Sequence, residues 1–360
     1  MSGVTLHVMS ASAEPVFCTI IPPHIFDRLA ESEDPLHHEP ARRALEHDGL
    51  LRTRRRVAAA RGLPPTTPAA ASDNPNRTIY DAHHVTTLPG SEVHTEGATP
   101  CKDPAVNRAY TALGATFDFY LKVYKRCSID GTGMPLNASV HYGDKYDNAF
   151  WDGDQMVIGD GDGTMFLDFT NCIDVIGHEL THGVTQYTAN LEYYGQSGAL
   201  NESVSDVFGS LIKQYSLGQT ADQADWLIGA GLLGPGLSGA ALRSLKAPGT
   251  AYDNPQMGKD PQPATMDDYV KTPRDNGGVH INSGIPNHAF YLLATALGGH
   301  AWERAGKIWY TTLADGSLAP DADFAAFARL TAATATNLFG DGDETKAVLK
   351  AWSQVGVPAS

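Results

Sequence analysis

The chain has 360 residues, 42% hydrophobic and 19% charged, with a formal net charge of -15; it is too long for one ordinary core, and two or three domains are expected. Up to Arg77 nine Arg balance nine Asp plus Glu, so the acidic excess falls on residues 78–360, which argues against nucleic acid as a partner. No run of about 18 apolar residues occurs, so no membrane-spanning helix is expected, and Cys18, Cys101, Cys127 and Cys172 contain no CxxC pair and form no disulfide framework.

In chain order, the stretch from Met1 to His7 lacks a basic n-region and a continuous apolar h-region, so a conventional signal peptide is not expected. Ile20-Ile21-Pro22-Pro23 reads as extended, because residues before proline avoid the helical region. Pro23 to Leu29 and Pro40 to Leu51 are candidate short helices. Arg52, Arg54, Arg55 and Arg56 then lead to Arg61 and a Pro/Thr/Ala stretch from Gly62 to Pro75, which cannot bury a core and reads as an exposed, cleavable linker. From Thr78 to about Thr170, short alternating runs such as Ser139-Val140-His141-Tyr142 and Met156-Val157-Ile158 point to a β-rich domain. Within it, Asp160-Gly161-Asp162-Gly163 is similar to a calcium loop but lacks the acidic twelfth residue, so a turn is expected. From Cys172 onward helical periods dominate, as in His288 to Leu297, Ala301 to Leu313 and Phe324 to Leu338. The expected layout is an α+β fold: a helical head (1–61), a linker (62–77), a β-rich domain (78–171) and a mainly α-helical domain (172–360), with a cleft between the last two.

The floor of that cleft is expected at Gly177-His178-Glu179-Leu180-Thr181-His182. Histidines four apart share one helix face, separated by about 6 Å of rise, so both imidazoles can reach one metal ion. Such a pattern also arises by chance on a solvent-facing helix. Here Ile173, Val175, Ile176 and Val184 make the helix apolar, and a buried His and Glu without a partner are costly. Gly198-Ala199-Leu200-Asn201-Glu202-Ser203-Val204-Ser205-Asp206 supplies what is missing. Glu202 is a third ligand from a second helix, which completes a catalytic zinc site with one open position. Asp206, one turn on, can accept the other ring N–H of a zinc-bound histidine. Glu179 stands beside the metal as the base that takes a proton from water. Cys172 reads as a buried thiol rather than a ligand.

With Asp275-Asn276-Gly277-Gly278-Val279-His280-Ile281-Asn282-Ser283-Gly284, these segments resemble the thermolysin family of zinc metalloendopeptidases: HExxH, then GxxNExxSD, then DNGGVHxNSG. The similarity extends over about residues 78 to 355, through Asn148-Ala149-Phe150-Trp151 and Ala241-Leu242-Arg243-Ser244. It implies that Asn148 and Ala149 bind the substrate backbone and Arg243 a substrate carbonyl. Tyr193 and His280 would face the developing oxyanion, with Asp275 orienting His280. Phe166, Val175, Ile228 and Leu242 would line a pocket for a bulky apolar residue on the leaving-group side; read alone, such residues are as readily plain core. The head resembles the short propeptides of the protealysin-like branch, in Phe17-Cys18-Thr19-Ile20-Ile21-Pro22-Pro23-His24-Ile25. This implies that Ile20, Pro22 and Pro23 lie in the cleft as an intramolecular inhibitor, with the Cys18 thiolate either on the zinc or packed as filler. The family's double calcium site is expected to be lost, because Lys213, Leu227 and Ala230 replace partners of Asp174 and Asp225; Ala240 removes a carboxylate from a further site.

The expectation is therefore a zinc-dependent neutral endopeptidase made as a self-inhibited precursor, monomeric, acting on protein or peptide substrates. It would be secreted without a conventional signal peptide, the alternative being cytoplasmic. A silent zinc- or peptide-binding module would not need Glu179, Tyr193, Asp275 and His280 together, and an intracellular peptidase with one partner protein would not need a broad inhibitor. A serine hydrolase is unsupported, since Gly195-Gln196-Ser197-Gly198-Ala199 lacks the final glycine of a nucleophile elbow.

Overall fold

The structure, a computed structural model, describes residues 19–61 and 73–359, with the backbone alone over 50–61. Cys18 and most of the expected linker lie outside the described residues. The head opens with Thr19 in a β-bridge, bends at Ile20 and Ile21 where an extended run was expected, is extended at Pro22, and turns into helix α1 (Pro23–Ala30) at Pro23, whose fixed φ suits the first helical position. Ile25, Phe26 and Leu29 form its buried face. Helix α2 (Pro35–Arg61) is longer than the expected Pro40 to Leu51 and carries Pro40 in its second turn. Pro40 removes one backbone N–H from that turn without ending the helix.

The β-rich region is a mixed sheet of β1 (Arg77–Asp81), β2 (Ser91–Thr95), β3 (Leu136–Val140), β4 (Ala149–Trp151) and β5 (Met156–Ile158), in the order β2-β1-β3-β5-β4. β1, β3 and β5 run parallel, and β2 and β4 flank them antiparallel. The sequence reading missed helix α3 (Pro104–Tyr124) between β2 and β3. Its start is legible: the Asp103 side chain accepts from the Ala105 N–H, and Pro104 occupies the first turn. Lys125, at φ 59°, ends it in a left-handed cap.

Helix α4 (Ile173–Gln186) and helix α5 (Gly195–Leu217) then pack antiparallel and form the centre of the molecule. Glycine sets their spacing: a Cβ on Gly177 would lie 2.8 Å from Ile212 Cδ1, and one on Gly209 would lie 2.5 Å from the Asp174 carbonyl oxygen. This close approach lets side chains from both helices share a single point. Short strands β6 (Leu227–Ile228) and β7 (Arg243–Ser244) pair beside them, followed by β8 (Asp253–Asn254) with β9 (Gly258–Lys259). Helices α6 (Asp275–Asn282), α7 (Gly284–Leu297), α8 (Ala305–Ala314), α9 (Phe324–Phe339) and α10 (Asp343–Gln354) complete the α-helical part. Trp309 of α8 stacks on Trp352 of α10 with ring centroids 5.8 Å apart. The whole is α+β, with the β-rich part first and the helical part after it.

Candidate metal centre and substrate cleft

On α4, His178, Glu179 and His182 are each fully buried, and α5 brings buried Glu202 and Asp206 against them. The ring atoms Nε2 of His178 and His182 are 3.0 Å apart, and they lie 3.6 and 3.5 Å from the two Glu202 carboxylate oxygens. Three ligands at about 2.0–2.1 Å from one tetrahedral ion are separated by about 3.3 Å, so this triangle fits zinc. Two facing imidazole nitrogens at such a distance also need a positive charge between them. The opposite ring nitrogens are held: His178 Nδ1 is 2.8 Å from Asp206 Oδ1, and His182 Nδ1 is 2.8 Å from Asn201 Oδ1 and 3.0 Å from Ser205 Oγ. Each Nδ1 then carries the proton and each Nε2 presents its lone pair to the metal position. Asn201 and Ser205 were not singled out in the sequence. Asn201 directly precedes Glu202, and Ser205 lies one turn after it, on the same segment as the ligands.

Asp206 is held from three sides. Arg243 donates to both carboxylate oxygens at 2.8 to 3.1 Å, Asn287 Nδ2 donates at 2.9 Å, and His178 takes the remaining contact. Burial opposes its charge, but Arg243 and His178 outweigh burial and hold it well below the usual carboxylate range.

Glu179 Oε2 accepts from the Trp151 backbone N–H at 3.0 Å, while Oε1 is buried without a protein hydrogen-bond partner. That pattern suits a carboxylate facing a water on the metal. Burial, then the neighbouring Glu202 carboxylate, push its pKa well above the ordinary value, and a cation beside it would oppose both.

The turn Asp275-Asn276-Gly277-Gly278 holds four successive left-handed residues, φ 52, 49, 85 and 80°, which explains the two glycines. It delivers His280 towards α5. His280 Nδ1 lies 2.6 Å from Asp275 Oδ1, and its backbone N–H donates to Asp275 Oδ2 at 2.9 Å. Burial disfavours the charged ring, but Asp275 and Glu202 outweigh it and raise the His280 pKa. The Tyr193 hydroxyl bonds Glu202 Oε1 and stands 3.3 Å from His280 Nε2. Tyr193, His280 and Glu202 thus meet on one side of the metal position.

The head occupies the other side. Thr19 forms an isolated antiparallel bridge with Phe150, and the Ile20 N–H donates to the Ala149 carbonyl at 3.1 Å, so the head docks on the β4 edge through a single bridge. The Ile21 N–H donates to Asn148 Oδ1 at 3.0 Å, and Arg243 Nη1 donates to the Ile20 carbonyl at 3.0 Å. Asn148, Ala149 and Arg243 therefore all touch backbone of the chain's own head. Pro22 and Pro23 follow, buried at the start of α1. Phe166, Val175, Ile228 and Leu242 are buried in the same apolar cluster as Ile20 and Ile21, and Phe26 of α1 meets Phe166 edge to face at 6.2 Å. Cys172 is a buried thiol near the Ala230 carbonyl, pushed by burial to about 12.

One turn before His178, Asp174 meets Lys213 of α5. Lys213 Nζ lies 2.9 Å from Asp174, 3.0 Å from Asp225 and 2.7 Å from the Leu227 carbonyl. The ammonium occupies the space between these oxygens.

A family model described as the thermolysin metallopeptidase catalytic domain matches residues 69–186, and one described as its alpha-helical domain matches residues 189–357. The chain belongs to the thermolysin metallopeptidase family and is a thermolysin-like metalloendopeptidase. It is 50% identical over 340 residues to an extracellular metalloprotease of Pectobacterium carotovorum subsp. carotovorum, covering 94% of this chain and 96% of that one. Protease PrtS of Photorhabdus sp. (strain Az29) is likewise 50% identical over 340 residues, covering 94% and 91%. Among solved structures, the precursor of protealysin, a metalloproteinase from Serratia proteamaculans, superimposes with a TM-score of 0.86 at 53% identity, covering 94% of this chain and 99% of that one. No helix of the described residues is long and apolar enough to cross a membrane.

Proposed function

We propose that the chain is a zinc-dependent endopeptidase precursor, held inactive by its own residues 1–61 and preferring a bulky apolar residue on the leaving-group side of the cleaved bond. The observation that carries this reading is the set of backbone contacts the head makes with the cleft. Ile20 and Ile21 engage Ala149, Asn148 and Arg243 through backbone groups alone, as any extended peptide would. Ile20, fully buried, stands for the apolar side chain the cleft accepts. The pocket assigned to it comprises Phe166, Val175, Ile228 and Leu242, and such a pocket separates residues differing by one methylene by only about 1–3 kcal/mol, so the preference is broad.

Zinc held by His178, His182 and Glu202 would supply Lewis acidity and a water acidic enough to be deprotonated near neutral pH. Glu179 is the base that receives that water's proton; its Oε1 is the oxygen left for the task, while Trp151 N–H fixes Oε2. His280 and Tyr193 donate to the former carbonyl oxygen as negative charge develops there, with Asp275 orienting His280 and favouring its charged form. Arg243 holds the next carbonyl, and Asp206 fixes Arg243 and His178 together. The head blocks turnover by covering the same backbone contacts until the chain is cut beyond α2, in or near 62–77. Lys213 supplies internally the charge that calcium would bring to Asp174 and Asp225, so no calcium is required there. The resemblance to extracellular proteases supports an exported enzyme, and the mature chain acts as a monomer on peptide substrates without nucleic-acid or membrane partners.

The test is casein hydrolysis and zinc content of the purified chain before and after removal of the head, beside Glu179→Gln. The reading expects zinc in all samples, activity in the trimmed wild type and none in the variant. A trimmed wild type that holds zinc and cleaves nothing would favour a silent binding module instead.

A further inference from the structure

The parallel strands β1, β3 and β5 lie side by side and end at the same edge of the sheet, and each is followed within three residues by a group able to bind a metal. His84 follows β1, His141 follows β3 and Asp160 follows β5. Their ligand atoms all lie within 4.8 Å of one another. His84 Nδ1 is 3.3 Å from Asp160 Oδ2, and His141 Nδ1 is 2.8 and 3.0 Å from the two Asp160 oxygens. The turns carrying the histidines are tied together, since the His84 N–H donates to the His141 carbonyl at 2.8 Å. Both histidines have positive φ, 58 and 54°, a region that histidine enters more readily than most side chains.

The decisive contact is on the far side of His141. Its Nε2 lies 2.8 Å from Asp103 Oδ2, the carboxylate that also caps α3. Asp160, then Asp103, push the His141 ring up to about 9 against burial, so a proton lies between Nδ1 and Asp160, in the place where an ion could take over the same positive charge. A carboxylate behind a histidine is the usual support for a metal-bound imidazole. His84 adds a second imidazole on the open side, where its ring is 5.4 Å from that of His141.

We propose that His84, His141 and Asp160 form a second metal site, distinct from the one on α4 and α5, which takes a divalent transition ion such as Zn2+ or Co2+. Two imidazoles and one carboxylate suit that class of ion better than calcium or magnesium, which prefer all-oxygen ligands. The ion fastens the ends of three neighbouring strands to one another and, through Asp103, to the start of α3. Exposure of His84 leaves the remaining coordination positions to water.

The full chain, already holding its catalytic zinc, is titrated with Zn2+ and its bound zinc counted by equilibrium dialysis, beside His84→Asn. Asparagine tolerates the left-handed backbone and removes the imidazole, so the fold is kept. The proposal expects a second zinc equivalent in wild type, at least about 100-fold weaker in the variant, and a zinc-dependent rise in Tm that the variant lacks. It is overturned if wild type takes up no second equivalent, or if His84→Asn binds it with unchanged affinity; a proton would then be the charge between His141 and Asp160.

Discussion

The helix pair α4 and α5 holds two buried polar centres about one helical turn apart, and they meet the same electrostatic problem in opposite ways. At one, His178, His182 and Glu202 converge with lone pairs and negative charge facing inward, and the described side chains place no Lys or Arg among these three ligands. At the other, Asp174, Asp225 and the Leu227 carbonyl converge on Lys213, an ammonium carried by the chain itself. A buried cluster of oxygens needs a cation, and whether that cation is an ion or a side chain decides between a site that can be loaded and one that is permanently filled. The most direct way to break this contrast is at the reactive centre. Glu179→Gln is expected to lower kcat/KM of the trimmed enzyme by about 10³- to 10⁴-fold with zinc content unchanged; a fall of less than tenfold would move the base elsewhere. At the filled centre, Lys213→Met leaves Asp174 buried without its cation. It is expected to lower stability by about 3–5 kcal/mol in urea denaturation. Lys213→Glu sharpens the contrast further, because three carboxylates and a carbonyl make an oxygen site for a hard cation. Its Tm should rise with added calcium, whereas wild type should not respond.

The head can be set against the catalytic body in the same way, as a segment whose backbone touches Asn148, Ala149 and Arg243. Ile20 is fully buried on the cleft, so Ile20→Ala should weaken its docking by about 2–4 kcal/mol. The reading is the lag before an uncut precursor begins to cleave casein, expected to shorten or vanish. A smaller effect is expected behind the metal ligands. Asn201→Ala removes a partner of His182 Nδ1 and should weaken zinc by about 10- to 100-fold in chelator competition. An unchanged affinity would mean that Ser205 alone orients the ring.

The triangle of His178, His182 and Glu202 was legible because helical spacing dictates it: residues four apart share a face, and a buried carboxylate among them has few other uses. The β-rich first half and helical second half were legible from the change of period. What was not legible has physical causes. The run from Pro104 to Tyr124 was hidden among short strands, although Asp103-Pro104 is a strong helix start. Asn201 and Ser205 act on His182 across the helix pair, a relation set by Gly177 and Gly209, and spacing within one helix does not reveal it. The His84, His141 and Asp160 cluster is likewise a product of strand order, since its members are brought together only when β1, β3 and β5 lie parallel.

The smallest expected effect concerns how firmly the head stays in place as pH falls. His24, in the first turn of α1, bonds the Tyr252 hydroxyl through Nε2 at 3.0 Å, and its Nδ1 is buried without a partner. Around it stand Asp275, which favours a charged ring, and His280 and Arg243, which oppose it; burial dominates, and its pKa is pushed down to about 4. A displaced head would return His24 to about 6.5. Between those values the displaced form binds the proton that the docked form refuses, so docking is full above about pH 6.5 and weakens as pH falls towards 4. From pH 7.5 to 5.5 the loss amounts to about tenfold in the docking equilibrium. Amide exchange at Ile20 and Ile21, whose N–H groups bond the cleft, measures it in the uncut Glu179→Gln chain after correction for intrinsic rates. Protection should fall about tenfold over that range and stay level in the same chain carrying His24→Gln. Equal falls in both chains would assign the acid sensitivity to other groups at the interface, such as Asp48 beneath Tyr146, and not to His24.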